Sequence, residues 1–371
     1  MAGLYIHVPF RKSDRAYDDS VVVASHRPDY DAFARALVSE LDQYEAAHST
    51  AGISSIYVGG GRPSLVPISD LETVAEKVRV FDVEGTAEVT IEVNPRDASD
   101  AYMQKVAAMG FNRVSLAALS FFDEELSTIG APHQAHHIEP AVARSRAAGI
   151  DNISVDIAFG WAESTLEMWQ ETLREAVALE VPHITLIEWP TVPRDNETEM
   201  TRAKQYRHAL LDLEEEGFEA YEISHLSRPG HRSQHNENYW AHGSFLGIGP
   251  AAHSFWWPGH NEKPHRWVNE PDLAVYMQRL NDGRAPVATR EEVDPETLAG
   301  EYLTLRLRTR DGLNLARYRD VYGVDLRAQR ASLLDRLQEN ALISPITDNT
   351  LRLTNAGWLV YNSIVQRLLS N

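Results

Sequence analysis

Residues 4–10 run Leu4-Tyr5-Ile6-His7-Val8-Pro9-Phe10 and read as a strand at the head of the chain. Five more short apolar runs follow at helix-length intervals: Ser54–Val58, Glu88–Val93, Arg113–Ala117, Asn152–Ile157 and His183–Ile187. Between the first two, Tyr30, Phe33, Leu37, Leu41 and Tyr44 share the spacing of one helix face. Ser69-Asp70-Leu71-Glu72 and Ser164-Thr165-Leu166-Glu167 have the form of capping boxes and predict helix starts. Repeated strand–helix units predict parallel strands joined by right-handed crossovers. Six units are too few for a closed eight-fold barrel. The fold class is therefore α/β, a partial (β/α)6 barrel of TIM type, with its chemistry at the C-terminal ends of the strands.

Beyond this core, periodicity fades and then returns. Residues 1–190 form the expected barrel core and 191–290 a barrel extension and connecting region. In the latter, seven of the fifteen histidines fall between His225 and His265, together with Trp240, Trp256, Trp257 and Trp267. Residues 291–371 turn helical again: a helix over Leu326–Asn340, a short hairpin over Leu342–Leu353 and a last helix from Asn355. This predicts a smaller α+β C-terminal domain of winged-helix type. A lid or structural role is favoured for it over DNA reading, because its flanks lack positive charge.

Composition narrows the function. The formal charge is −19, and only five of the 35 basic residues are lysines. Such a surface repels phosphate backbones, so no nucleic-acid partner is expected. It also suits a protein that stays in solution at high salt. No run approaches the ~18 apolar residues of a membrane span, and the opening residues do not resemble a signal peptide. The expected location is cytoplasmic, without stable membrane insertion. Cysteine is absent altogether. That excludes disulfides, thiolate catalysis, zinc–thiolate sites and an Fe–S cluster held by cysteine.

Three strand ends carry the candidate chemistry. Gly59-Gly60-Gly61-Arg62-Pro63-Ser64 follows one strand, and its glycines let backbone groups approach a ligand closely. The next strand ends in Glu92 and Asn94, and the fifth in Asp156. Each alone fits a structural hydrogen bond as well as a ligand contact. Their shared address at the barrel rim makes them a candidate site.

Leu4–Phe10 resembles the opening of the oxygen-independent coproporphyrinogen oxidase superfamily of radical-SAM barrels. So do Val58–Ser64, Glu88–Pro95, Asn112–Phe121, Asn152–Gly160, Tyr221–Ser224, His235–Trp240 and Leu246–Phe255. Length and the His235-Asn236-Glu237-Asn238-Tyr239-Trp240 string favour its haem-chaperone (HemW) branch. In that family three cysteines follow Pro-Phe and hold a [4Fe–4S] cluster, whose fourth iron takes S-adenosylmethionine. Here the equivalent positions are Arg11, Arg15 and Asp18. Guanidiniums stay protonated and cannot ligate iron. The resemblance therefore implies a member without the cluster and without radical chemistry.

The S-adenosylmethionine pocket that the resemblance implies is eroded too. Tyr17, Gly59, Gly60, Gly61, Pro63, Glu92 and Asp156 remain, but Arg62 stands where the family has threonine. Leu119 stands for glutamine, Ala131 for arginine, and Trp161-Ala162-Glu163-Ser164 for Leu-Pro-Gly-Gln. Retention of S-adenosylmethionine is accordingly doubtful. The His-Asn-x-x-Tyr-Trp string is the remaining candidate for haem. His235 would supply an axial imidazole, Asn236, Tyr239 and Trp240 a cleft, and Arg228 and Arg232 the propionate partners. A non-haem metal on His133, His136 and His137 is the weaker expectation.

Three functions follow. The leading one is a cluster-free haem carrier that transfers haem to an acceptor protein. The alternative is an enzyme acting on a tetrapyrrole or another anionic ligand at a mouth lined by Arg11, Arg15 and Arg62. Against that stands the plainer expectation that these arginines pair with Asp14, Asp18 or Asp19. The third is a catalytically silent scaffold for another protein.

Overall fold

The computed structural model describes residues 2–11, 23–24, 28–48, 52–79, 81–161, 164–189, 196–258 and 263–370. Six parallel strands form the barrel: β1 Ala2–Val8, β2 Ile53–Gly60, β3 Val83–Val93, β4 Arg113–Leu119, β5 Asn152–Phe159 and β6 His183–Glu188. All six anticipated strands are present, most of them longer by a few residues. The sheet then continues past both ends of the anticipated barrel. After β6 come the antiparallel β7 (Glu219–Glu222) and β8 (His225–Ser227). On the other side β9 (Ser244–Ile248) lies parallel to β1, pairing Leu4 with Leu246 and Ile6 with Ile248. Then β10 (His253–Trp256), β11 (His265–Asn269) and β12 (Val287–Glu292) complete a twelve-stranded sheet. The stretch 191–290 thus holds sheet that period counting does not reveal, because its strands are only three to six residues long.

Alternation along the parallel strands divides their side chains between two faces. Leu4, Ile6, Val58, Ile91, Val114, Leu116, Ile153, Val155, Ile184 and Leu186 point outward and are buried under helices. Those helices include α1 (Tyr30–His48), α2 (Ile68–Val78), α3 (Asp100–Ala108), α4 (Ile138–Ala147), α5 (Leu166–Ala178) and α6 (Asn196–Glu215). The inward positions are polar: Tyr5 and His7, Ser55 and Tyr57, Glu88, Thr90 and Glu92, Arg113 and Ser115, Ser154 and Asp156, His183 and Thr185. An open barrel with a polar lumen, and not an apolar plug of side chains, is what this pattern builds.

Two helix starts differ in detail from expectation. Helix α2 begins at Ile68 with Pro67 as its N-cap and no side-chain cap, so Ser69 lies inside the first turn. Helix α5 is capped by Thr165, whose hydroxyl accepts from the Met168 amide, one residue later than the Ser164 pattern implies. Helix α7 (Gln234–Trp240) crosses beneath the N-terminal ends of β1 and β2. Toward the C-terminus a helix spans Leu326–Glu339, and antiparallel bridges join Ile343 to Leu353 and Thr347 to Thr350. The last helical stretch runs Asn355–Leu359 and then Tyr361–Leu369.

Candidate functional site

The lumen has a floor, at the N-terminal ends of the strands, and a mouth at their C-terminal ends. At the floor, Glu88 accepts from the Ser233 hydroxyl (3.0 Å) and from the amides of Gln234 (3.1 Å) and His235 (3.2 Å). It therefore holds the N-terminus of α7, where a carboxylate is favoured by the helix dipole. Arg113, 2% exposed, lies with its Nε 3.8 Å from Glu88.

His235 closes the floor from below. Its Nδ1 meets the Ser55 hydroxyl at 3.0 Å and its Nε2 the Tyr239 hydroxyl at 3.0 Å, while its ring stacks on Tyr57 at 5.2 Å. The residue is 1% exposed, and burial together with the Arg113 charge pulls its pKa down to about 3. His235 is the residue that the sequence offers as an axial ligand for haem. Both ring nitrogens are engaged and no face of the ring is open. Asn236 bonds His225 Nε2 at 3.1 Å, and Trp240 packs edge-on against Tyr221 and His225. Arg228 donates to the Glu216 carbonyl and lies over Phe218, while Arg232 faces Glu237 and Asp311. The motif residues meet, but as braces of the barrel floor.

Above the floor a hydrogen-bonded chain runs from Tyr221 to Asp156. Tyr221 Oη lies 2.7 Å from His183 Nε2, His183 Nδ1 2.7 Å from Ser154 Oγ, and Ser154 Oγ 3.3 Å from Asp156. Tyr221 already accepts from the Ser233 amide. Satisfying every member then makes Tyr221 the donor to His183, His183 the donor to Ser154 and Ser154 the donor to Asp156. Burial holds His183 well below the usual histidine range, consistent with a neutral ring. Ser115 also donates to Asp156, whose pKa burial raises.

At the mouth Glu92 accepts from Tyr57 Oη (2.8 Å) and from the Gly60 amide (3.1 Å). Burial, with repulsion from Asp156, pushes its carboxyl up to about 7, opposed in part by the Arg11 charge. The glycine triplet is explained by close approach. A Cβ on Gly60, whose φ is +102°, would stand 2.4 Å from the His7 ring, and one on Gly61 would stand 2.5 Å from the Phe10 carbonyl. Arg62 is not a free cation. Its guanidinium forms a two-bond pair with Asp97, both at 2.6 Å, and Ser64 donates to the same carboxylate. The expected partners Asp14, Asp18 and Asp19 lie outside the described residues, as do Arg15 and Tyr17.

The β4–β6 side of the mouth is apolar. Leu119, Trp161 and Trp189 are 1%, 3% and 6% exposed and pack with Leu126, Ile129 and Ala158, with Ala131 against them. Glu125, next in the chain to Leu126 of this cluster, accepts from the Ser120 hydroxyl. Leu119 has φ +64°, a left-handed conformation that turns the chain at the end of β4. His133 is buried and bonded to Asn94 and to the Ala118 carbonyl, so it does not join His136 and His137 as a metal site. Among the described residues no group of three or more metal-ligating side chains comes together, and no helix is long and apolar enough to cross a membrane.

This is the barrel of radical-SAM proteins. The Radical SAM superfamily pattern matches residues 24–176, and the HemN C-terminal domain matches residues 293–360. The fold superposes on coproporphyrinogen III oxidase (HemN) from Escherichia coli with a TM-score of 0.84 at 17% identity, covering 99% of this chain and 89% of that one. In sequence, the heme chaperone HemW of Bacillus subtilis is 27% identical over 98% of both chains. HemW of Mycobacterium tuberculosis (strain H37Rv) is 29% identical over 99% of this chain and 94% of its own. The chain belongs to the HemW and oxygen-independent coproporphyrinogen oxidase-like family, as a divergent member without the cluster cysteines.

The residues present do not fit that family's cluster. No thiolate exists anywhere in the chain, and Arg11 is the residue that follows Phe10. Anaerobic incubation with iron and sulfide, followed by desalting, is expected to leave no bound iron–sulfide chromophore. A stoichiometric four-iron content would show that another donor set holds the cluster.

Floor residues Glu88, Arg113, His183 and Tyr221, and Trp189 at the mouth, had no part in the sequence-derived site. For Glu88, Arg113 and His183 the signal was present as polar residues at every second position of apolar strands.

Proposed function

We propose that this chain handles haem without radical chemistry, binding it and passing it to an acceptor protein. The observation that carries this reading is end-to-end similarity to haem chaperones in a chain that has no cysteine. The apolar β4–β6 side of the mouth, built by Leu119, Trp161 and Trp189, supports it further, since an amino-acid nucleoside needs polar partners there. An enzyme for an anionic ligand is less well supported. Arg62 is committed to Asp97, and the lumen presents Glu92 and Asp156.

Haem coordination falls, on this reading, to an imidazole with an accessible nitrogen. In the histidine-rich stretch His253 is exposed, and His231 and His265 are partly so. Titration with haemin is expected to give a saturable, shifted Soret band. His235→Ala is expected to keep that band while losing about 2–4 kcal/mol of stability, from a floor cavity and two lost hydrogen bonds. Absence of a specific band in the folded wild type would remove the haem reading. Loss of the band in a folded His235→Ala variant would restore that residue as the ligand.

A further inference from the structure

A cavity of about 210 Å³ lies outside the barrel, between the outer faces of β1–β3 and helices α1 and α2. Ile6, Leu37, Val58, Val74, Ala75 and Phe111 are among its walls. Protein interiors rarely leave voids larger than a water. An apolar void of about 150 Å³ stays dry and takes up benzene. This one exists because Ala34 on α1 and Ala75 on α2 face it where larger side chains would fill it.

Its shape and rim narrow the occupant. Among the described residues Asp70 and Arg79 are its only charged lining residues, at the two ends of α2. Nine residues of helix separate them by roughly 13 Å, so the cavity runs lengthwise under the helix. Arg79 and Gly110 are exposed, which places the opening at the Arg79 end. The Arg79 guanidinium donates to the Met109 carbonyl and, among the described residues, pairs with no carboxylate.

We propose that this cavity binds a single-chain alkyl carboxylate, with the tail under α2 and the head group on Arg79. Long, narrow and apolar space suits an unbranched chain, the cation suits its head, and Asp70 at the far end sets the direction. Among the described residues nothing in this site touches the barrel lumen, so it is independent of the haem reading.

Decanoate below its micellar concentration is the probe, with the full chain in thermal denaturation and calorimetry. Saturable binding is expected, with Tm rising by roughly a few degrees at a hundredfold excess over Kd. Ala75→Leu fills the space and is expected to abolish the response. Arg79→Ala, at an exposed position, is expected to weaken decanoate by up to roughly fivefold while leaving decanol unchanged. It keeps the test open if Ala75→Leu folds poorly. No saturable binding to the wild type overturns the proposal, as does undiminished binding in a folded Ala75→Leu variant or equal decanoate affinity in Arg79→Ala.

Discussion

Glu88→Ala is expected to cost about 3–5 kcal/mol of stability, the range for stripping a buried charge of its partner. Glu88 is 4% exposed and has two duties. It accepts three hydrogen bonds from residues 233–235 at the start of α7, and it is the carboxylate nearest Arg113. Truncation leaves that guanidinium unpaired inside the barrel and releases the helix that carries His235. Against a typical total of 5–15 kcal/mol such a loss is severe. Denaturant melts should show a lower midpoint with unchanged cooperativity, and Glu88→Gln should lie between, since the volume and one acceptor survive. A loss under about 1 kcal/mol would mean that the floor is not held this way.

Glu40→Ala should be comparably damaging, with a pH signature of its own. Glu40 is fully buried on α1 and accepts from the Gly249 amide (2.9 Å), Asn269 Nδ2 (2.6 Å) and Tyr276 Oη. It thus ties the first helix to the last strands of the sheet and to the helix Leu273–Asn281. Removing it leaves the Gly249 amide and the Tyr276 hydroxyl without that acceptor and Asn269 Nδ2 with only the Gly249 carbonyl, a loss of about 3–5 kcal/mol at its greatest. Burial pushes its carboxyl up from 4.5 to about 7. The folded state therefore binds the proton more tightly than the unfolded chain between those values. The stability Glu40 contributes is full below about pH 4.5, falls as pH rises toward 7 and levels off above. The penalty of Glu40→Ala should be larger at pH 5.5 than at pH 8 when equilibrium melts are compared. A penalty that grows with pH would mean that the carboxylate, and not the acid, is the stabilising form.

Strands and helices were legible because their apolar positions repeat with period two or 3.6 over six or more residues. The β1–β6 framework and the helix over residues 30–48 are of this kind. The short strands β7–β12 were not legible, because three to six residues carry too few positions for a period to stand out. His235 shows a different gap. Residue type and motif identified it as consequential, yet Ser55, 180 positions away, and Tyr239 decide what its nitrogens do. Arg62 is similar: its charge was visible, but its partner Asp97 is reached only after β3 has run alongside β2.

By itself the sequence determined the parallel barrel, the family and the want of any thiolate to hold iron. Those follow from local periodicity, the order of motifs and elemental composition, none of which needs coordinates. Only the tertiary structure decided which polar residues line the mouth and which brace the floor. Hydrogen-bond partnership and burial depend on strands and helices far apart in the chain, and a side chain closed in on both sides is chemically a different group from the same side chain at an open mouth.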